Sequence, residues 1–491
     1  MTAPRSYVGA LLRLAGPVAL ARLGIIGMAI SDVVVVGQLA PTELPHQALG
    51  WAPTAVFLVA AIGLLQGVQV LAARSLGEGN PQGAGVVLRR GLVLALLAGA
   101  ASVALMWWGG ERLFSTFGVE TALVPLSARV MTVLALSIPL HLMYIAGTYF
   151  LEAIKKPAIS TIIMWLANAV NLGLNLIWVP DLSAHDHAAS AAPLYALLRD
   201  QPAFAALYHL APVHGAVGSA WATVGARVFL AGALLIWIFL LRDGATFGVR
   251  KLGAKGHGYG ALLGVGIASA VSQAVEAGAF SGMTVIAGRL GANIVAGYQI
   301  LLNLMAFVFM IALGMAAATA VLVSEAIGRK APTDAARAGW TGIGLNELSM
   351  IFAAVAIFVF AVPIGHAYTA DVQLAALISS LIWICVLILH PDGAQVVAAS
   401  ALRARGDNWF PTFSHILAYA VVMPVLGYWF AEHLHMGVPG LLFAILAASL
   451  LSGGVLLLRW WAIADRPSSG AHADDALIGS VAEAEVRDAR G

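Results

Sequence analysis

A single cysteine, Cys385, is all that the 491 residues contain, and it lies in an apolar run. One thiol supports neither a disulfide framework within the chain nor a thiolate metal site. Charged residues are also scarce, at 10% of the chain, against about 25% in soluble domains. The sequence has no Walker loop, no H-E-x-x-H and no G-x-S-x-G, so it gives no sign of ATP-driven or common hydrolytic chemistry.

Long apolar runs dominate instead. Hydrophobic residues make up 60% of the chain, and the mean hydropathy is +0.90. About 20 apolar residues cross a bilayer as a helix, and the runs here far exceed the roughly ten residues of a barrel strand. We therefore predict an all-α integral membrane protein with twelve spans, at about 10–36, 48–73, 90–110, 126–150, 158–180, 215–241, 258–288, 293–323, 338–364, 372–401, 410–431 and 438–461.

Lysine and arginine are distributed unevenly among the predicted loops. They concentrate at the N-terminus, in alternate loops and after the last span, whereas the other loops hold little beyond Arg112, Arg199 and Arg289. The positive-inside rule then places both termini in the cytoplasm. The N-terminus lacks a short apolar segment followed by a small-residue cleavage site. We expect a multi-pass protein of the cytoplasmic (inner) membrane with no removable signal.

The two halves of the chain repeat one another. Turn residues recur at an offset of 251, as in Gly77 with Gly328 and Pro81 with Pro332, and beyond Pro180 the offset falls to 222. The difference is 29 extra residues between the fifth and sixth spans of the first half. Because each half has six spans, both have the same orientation. We predict two six-helix lobes related by a pseudo-two-fold axis along the membrane normal.

The expected domain organisation follows from these offsets. The first lobe covers 1–241 and contains an extracytoplasmic insertion at about 181–214; a cytoplasmic linker at 242–257 leads to the second lobe at 258–463. The tail at 464–491 is rich in alanine, serine and acids, which is typical of disorder. A loop with His-x-His spacing is weak evidence for a metal site, so we interpret the insertion as a solvated loop or surface helix despite His185, Asp186, His187, His209 and His214.

One carboxylate, Glu276, lies deep in predicted span 7, within GVGIASAVSQAVEAGAFSGMTVIAG. An ionised acid in the bilayer core is costly unless it faces water, holds a cation or keeps its proton. The structural alternative is a protonated glutamic acid that only hydrogen-bonds a neighbouring helix. Because further acids occur in similar settings, we interpret Glu276 as part of a site for a small cation.

Asp392 on span 10 is the second acid of this half. Pro391 and Gly393 flank it, and a proline inside a helix loosens it and frees backbone carbonyls. Protons and Na+ compete for carboxylates in such surroundings, which is a physical basis for coupling. Nearby hydroxyl and amide side chains could complete the site: Tyr298, Asn303 and Gln395.

The first half has a comparable polar cluster. Asp32 lies in the outer half of span 1, Asn171 and Asn175 share one face of span 5, and Thr223 lies on span 6. Asparagine and threonine alone often only bond helix to helix in membranes. Together with a carboxylate, their oxygens suit a small hard cation or a protonated acid, so we predict a second cation site here.

Other polar residues in the spans are left without a role at this level. The histidines that stand alone are interpreted as structural: His141, His366 and His415. Three arginines could pair with acids or extend to the membrane surface, and the sequence assigns them no partners: Arg22, Arg129 and Arg227.

Four segments together resemble one transporter family. They are YQILLNLMAFVFMIALGMAAATAVLVSEAIGR, DGAQVVAASALRARGD, LAGPVAL with SDVVVVGQL, and LEAIKKPAISTIIMWLANAVNLGLNLIWV. In this order they resemble the multidrug and toxic compound extrusion (MATE) family, in particular its NorM-like bacterial branch, over about residues 8–462. The resemblance implies two lobes around a central cleft and export of cationic or amphipathic compounds by antiport against Na+ or H+. It also implies cation sites at Glu276 and Asp392, and at Asp32, Asn171, Asn175 and Thr223.

The chain departs from the family pattern at several positions. Gly266 stands where the family often has proline, Tyr298 where it often has histidine, and Ala312 where it often has proline. The insertion in the first half is also unusual. These departures concern the bending of spans 7 and 8 and the outer mouth, and they leave the acids in place.

The expected function is therefore a cation-coupled antiporter that works by alternating access. Its possible Na+ ligands are Glu276, Asp392 and Asp32. We expect no cofactor beyond the transported Na+ or H+, no nucleic-acid partner, and a monomer in membrane lipid. One alternative is a lipid-linked oligosaccharide flippase of related architecture, which would need a larger, basic cleft for a pyrophosphate. A remote alternative is a membrane-embedded enzyme, for which the sequence offers no convergent catalytic groups.

Overall fold

A computed structural model describes residues 7–116, 119–180, 213–369 and 371–466. Within these ranges, twelve helices are long and apolar enough to cross a membrane. Numbered as spans 1 to 12, they are Tyr7–Leu39, Pro41–Gly77, Pro81–Thr116, Val124–Ala153, Ala158–Trp178, Gly215–Phe239, Tyr259–Leu290, Asn293–Gly328, Pro332–Val359, Val372–Arg405, Trp409–His433 and Val438–Ile463. The predicted all-α architecture with twelve spans is confirmed.

Most helices extend beyond the predicted apolar segments. Span 3 begins at Pro81 and span 9 at Pro332, although hydropathy places their starts about nine and six residues later. Hydropathy detects only the part that suits lipid, whereas helical hydrogen bonding continues into the polar ends. Proline is favoured at the first helical position because its missing N–H has no partner there in any case.

The internal repeat is visible in individual hydrogen bonds. In the first lobe, the Thr161 hydroxyl on span 5 donates to the carbonyl oxygen of Pro17 on span 1, at 2.7 Å. In the second lobe, the Thr412 hydroxyl on span 11 donates to the carbonyl oxygen of Ala268 on span 7, at 2.8 Å. Both partners of the second bond lie 251 residues after those of the first, so each lobe is assembled in the same way.

Two spans depart from regular α geometry. Span 2 is interrupted at Leu65, between helices Leu44–Leu64 and Gln66–Gly77. Span 11 contains two π-helical stretches, Ile416–Val422 and Trp429–His433. Pro424 follows the first of them, and proline has no N–H and crowds the preceding turn. A wider turn before Pro424 relieves that crowding, and such π segments are frequent at functional sites.

The lobes meet through spans 1 and 8 and through spans 2 and 7. Small residues allow close backbone approach there: a Cβ atom on Gly266 would lie 2.1 Å from the carbonyl oxygen of Leu64, and one on Gly314 would lie 2.7 Å from that of Ala15. These contacts lie in the halves of the spans nearest the chain ends. The lobes are therefore in direct backbone contact on that side of the molecule.

Polar contacts reinforce the same side. Lys155, which follows span 4 in a left-handed conformation with φ 63°, forms an ion pair with Glu325 on span 8. The Arg74 guanidinium at the end of span 2 donates to the carbonyl oxygen of Ala404 at the end of span 10, at 3.0 Å. Arg74 and Glu325 are equivalent under the repeat. The two lobes thus grip each other at equivalent places with opposite charges.

The linker after span 6 is bound to the first lobe. The Arg89 guanidinium donates to the carbonyl oxygens of Gly248 and Val249, at 2.6 and 3.0 Å. His214, which precedes span 6, hydrogen-bonds the carbonyl oxygen of Trp178 through Nδ1, at 3.2 Å. The rest of the predicted insertion, from 181 to 212, and the tail after 466 lie outside the described residues. The expected surface loop and disordered tail therefore stay predictions.

Candidate functional site

Asp32 lies at the centre of the first-lobe cluster. Its carboxylate is 7% exposed and accepts hydrogen bonds from Asn175 Nδ2 and Thr223 Oγ1, each at 2.7 Å. Asn171 is fully buried one turn from Asn175, and its amide has no hydrogen-bond partner within the described residues. The structure therefore brings three of the four predicted residues into direct contact and leaves unused amide groups beside them.

A small polar cavity adjoins Asp32. Its volume is about 30 Å³, and Asp32, His141, Thr223 and Arg227 contribute its polar lining. Arg227 donates to Ser137 Oγ at 2.7 Å, whereas neither ring nitrogen of His141 has a partner in the described part of the chain. A polar cavity of this size can hold a water molecule. Water there would link His141 and Arg227 to the carboxylate.

Asp392 in the second lobe is bonded more loosely. Its Oδ1 atom lies 3.4 Å from Tyr419 OH, 3.4 Å from Ser449 Oγ and 3.5 Å from Gln395 Nε2. These partners come from spans 10, 11 and 12, and all three are fully buried. Of the residues predicted around Asp392, Gln395 is in place, and the two hydroxyl groups come from spans that the prediction did not consider.

Glu276 is connected to a buried chain of polar groups. Its Oε2 atom lies 3.9 Å from Nδ1 of His415, and the side chain is 20% exposed. Arg403 donates to Ser272 Oγ at 2.8 Å, and Ser272 Oγ lies 2.6 Å from the same His415 nitrogen. Because arginine can only donate, the Ser272 hydrogen is free to point at Nδ1. The neutral His415 ring then carries its proton on Nε2.

His415 also links the two acids of the second lobe. Its ring packs edge-on against the ring of Tyr419, with centroids 5.6 Å apart, and Tyr419 reaches Asp392. His415 and Tyr419 are four residues apart, on one face of span 11. Span 11 therefore bridges Glu276 on span 7 and Asp392 on span 10.

Two predicted residues lie apart from this network. Tyr298 is fully buried in an apolar cluster, and its hydroxyl has no hydrogen-bond partner among the described residues. Asn303 is exposed on span 8. The structure provides no contact that joins either side chain to Glu276 or Asp392 within its described ranges.

The two pockets occupy equivalent places in their lobes. Under the repeat offsets, four residues that line the first-lobe cavity correspond to four residues of the second-lobe network. They are Ile25, His141, Met164 and Arg227, which match Glu276, Asp392, His415 and Ser449. One fold position thus holds a histidine and an arginine in one lobe and two acids in the other.

Another buried acid, Glu152, supplies the partner that Arg22 lacked. Glu152 is 2% exposed; its Oε1 atom lies 3.8 Å from the Arg22 guanidinium, and Gln69 Nε2 donates to its Oε2 atom at 2.5 Å. The sequence gave little indication of this pair, because Glu152 precedes Lys155 and Lys156 and resembles a solvated helix end. Arg129 is exposed.

Replacing His415 with alanine should destabilise the second lobe. The change leaves the buried Ser272 hydroxyl without its acceptor and opens space beside Tyr419, and an unsatisfied buried group costs about 1–3 kcal/mol. Thermal unfolding of the purified protein should therefore shift downward. His366→Ala is the matched control, because His366 is exposed and its removal should leave the midpoint unchanged. Equal midpoints for both variants would contradict a bridging role.

Comparisons with known proteins place the chain in a family. The MatE family model matches residues 17–177 and 268–429, two stretches that begin 251 residues apart. A probable multidrug resistance protein NorM from Caulobacter vibrioides is 38% identical over 459 residues, which cover 92% of this chain and 90% of that protein. The multidrug resistance protein PmpM of Pseudomonas aeruginosa is 28% identical, with 87% of this chain and 86% of that protein covered.

Solved structures show the same fold. An outward-facing multidrug resistance MATE family transporter of the MOP superfamily has a TM-score of 0.80 at 19% identity, with 93% of this chain and 96% of that chain covered. The eukaryotic MATE transporter AtDTX14 also has a TM-score of 0.80, at 15% identity, with coverage of 95% and 98%. The chain therefore belongs to the MATE family, in its NorM-like bacterial branch, and is a membrane transporter rather than an enzyme.

Proposed function

We propose that this protein exports cationic or amphipathic compounds in exchange for Na+ or H+. The observation that carries the proposal is the pair Glu276 and Asp392, held inside one lobe and joined by His415 and Tyr419. Carboxylates inside membrane spans are retained at an energetic cost and mark ion pathways. The names of the NorM and PmpM relatives support drugs as the exported class.

Alternating access would follow from the two lobes. The excess of Lys and Arg in the loops on the side of the chain ends supports a cytoplasmic location for both termini in the inner membrane. The close contacts through Gly266 and Gly314 lie on that same side, which supports a conformation closed to the cytoplasm. Cation binding at Glu276 and Asp392 from outside would favour release of the drug, since a ligand shifts a conformational equilibrium by its differential affinity for the two states.

Transport in vesicles tests this function directly. The full chain is reconstituted into liposomes, and efflux of a fluorescent cationic drug is followed with an imposed Na+ gradient or an imposed pH gradient. At least one gradient should drive export several-fold above that of empty vesicles, and dissipating it with an ionophore should abolish the difference. Drug movement that ignores both gradients would contradict cation-coupled antiport.

A further inference from the structure

The oxygen atoms around Asp392 form a nearly equilateral triangle. Asp392 Oδ1 lies 3.4 Å from Tyr419 OH and 3.4 Å from Ser449 Oγ, and the two hydroxyl oxygens lie 3.5 Å apart. Spans 10, 11 and 12 each contribute one corner. Tyr419 and Ser449 are fully buried, so bulk water does not fill the space between them.

These distances are too long for good hydrogen bonds. A hydroxyl group usually lies about 2.7–2.8 Å from a neutral acceptor and about 2.5–2.7 Å from a carboxylate. The three oxygens instead keep a common separation, as they would if each faced a shared central ion.

The size of the triangle indicates which ion. Oxygen ligands about 2.4 Å from an octahedrally coordinated ion lie about 3.4 Å apart, whereas the Mg²⁺ distance of about 2.1 Å brings them to about 3.0 Å. We propose that Asp392 Oδ1, Tyr419 OH and Ser449 Oγ form one face of a Na+ site in the second lobe. This inference rests on the proposed function and extends it, because it adds Tyr419 and Ser449 as ligands and names Na+ as the coupling ion.

The charge of the site agrees with a monovalent cation. One carboxylate and two neutral hydroxyl groups balance a single positive charge, while Ca²⁺ usually takes several carboxylates. The described residues contain no group of three or more His, Cys, Asp or Glu side chains that could hold a metal ion. Gln395 lies 3.5 Å from Asp392 Oδ1 through its amide nitrogen, and a half-turn of its carboxamide would present an additional oxygen ligand.

The first lobe provides an internal comparison. Asp32 receives Asn175 Nδ2 and Thr223 Oγ1 at 2.7 Å each, which are ordinary hydrogen-bond lengths. Its donors therefore occupy the carboxylate directly and leave no ion-sized gap between them. The contrast assigns Na+ to the second lobe alone.

Equilibrium binding of radioactive ²²Na+ to the purified full chain tests the site. Tyr419→Phe and Ser449→Ala should each weaken Na+ binding by about tenfold or more, and Asp392→Asn should abolish it. Two matched controls should bind Na+ as the wild type does. They are Tyr428→Phe, at an exposed position of the same span, and Ser349→Ala, whose hydroxyl bonds the Leu345 carbonyl of its own helix.

Several outcomes would overturn the site. Wild-type Na+ affinity in both Tyr419→Phe and Ser449→Ala would remove the triangle as a ligand set. An absence of Na+ binding in the wild type, together with export driven by a pH gradient, would refute the Na+ site and leave the proposed exporter intact. Export driven by neither gradient would instead refute the proposed function.

Ion competition gives a second measurement if a variant fails to fold. The spacing of the triangle fits Na+ better than the larger K+, so K+ should displace ²²Na+ from the wild-type protein at least about tenfold less effectively than unlabelled Na+ does. Equal displacement by K+ would overturn the assignment.

Discussion

Glu276→Gln should reduce gradient-driven drug export to the level of empty vesicles. Glutamine keeps the shape of the side chain and can still hydrogen-bond, but it cannot release a proton or place a negative charge near a cation. Glu276 is 20% exposed beside His415, so the change removes the one charge of this network that water can reach. Efflux of a fluorescent drug from proteoliposomes measures the loss.

The control for this variant is Glu111→Gln. Glu111 is exposed near the end of span 3, so the same chemical change there should leave export unaltered. The Glu276 variant should also fold, because a neutral side chain is no more costly than a carboxylate in a buried place. Export at the wild-type rate by Glu276→Gln would refute the role of this residue in coupling.

Gly266→Ala should shift the balance between the two access states. The added Cβ atom would lie 2.1 Å from the Leu64 carbonyl oxygen, where backbone faces backbone between the lobes. Overpacking of this kind costs about 1–3 kcal/mol, and the cost applies only while the lobes are closed on this side. The closed state should lose population by roughly tenfold or more, since about 1.4 kcal/mol corresponds to a factor of ten.

Distances between spin labels would measure this shift. Labels at Asn80 and Lys330, in a background with Cys385 replaced by alanine, report the separation of the lobes on the side of the chain ends. Gly264→Ala is the control, because no atom lies within 4 Å of a Cβ placed there. Identical distance distributions for the two variants would show that the Gly266 contact does not hold the lobes together.

The fold was largely predictable from the sequence because its signals are local. Apolar runs mark the spans, and Pro81 with Pro332 marks the repeat, since proline is favoured at the start of a helix in both lobes. Glu276 and Asp392 were detectable for a similar reason: a carboxylate in an apolar run stands out without any knowledge of its neighbours. Their role in coupling stays a prediction.

The partners of these acids were not predictable in the same way. His415 lies 143 residues from Ser272 along the chain, and Ser449 is 57 residues from Asp392, so only the packing of the lobe brings them together. A lone histidine or serine in an apolar span carries no local signal. Asn303 shows the opposite error, because its polar side chain suggested a role that its exposed position does not support.

The π-helical stretch Ile416–Val422 contains Tyr419 and begins directly after His415. A π turn holds about one residue more than an α turn, and tightening it would swivel the following part of the span by about 100°. Span 11 therefore resembles a screw with slack in its thread. Occupancy at Asp392 could take up or release that slack, which would turn a local binding event into rotation of an entire rod without unfolding it.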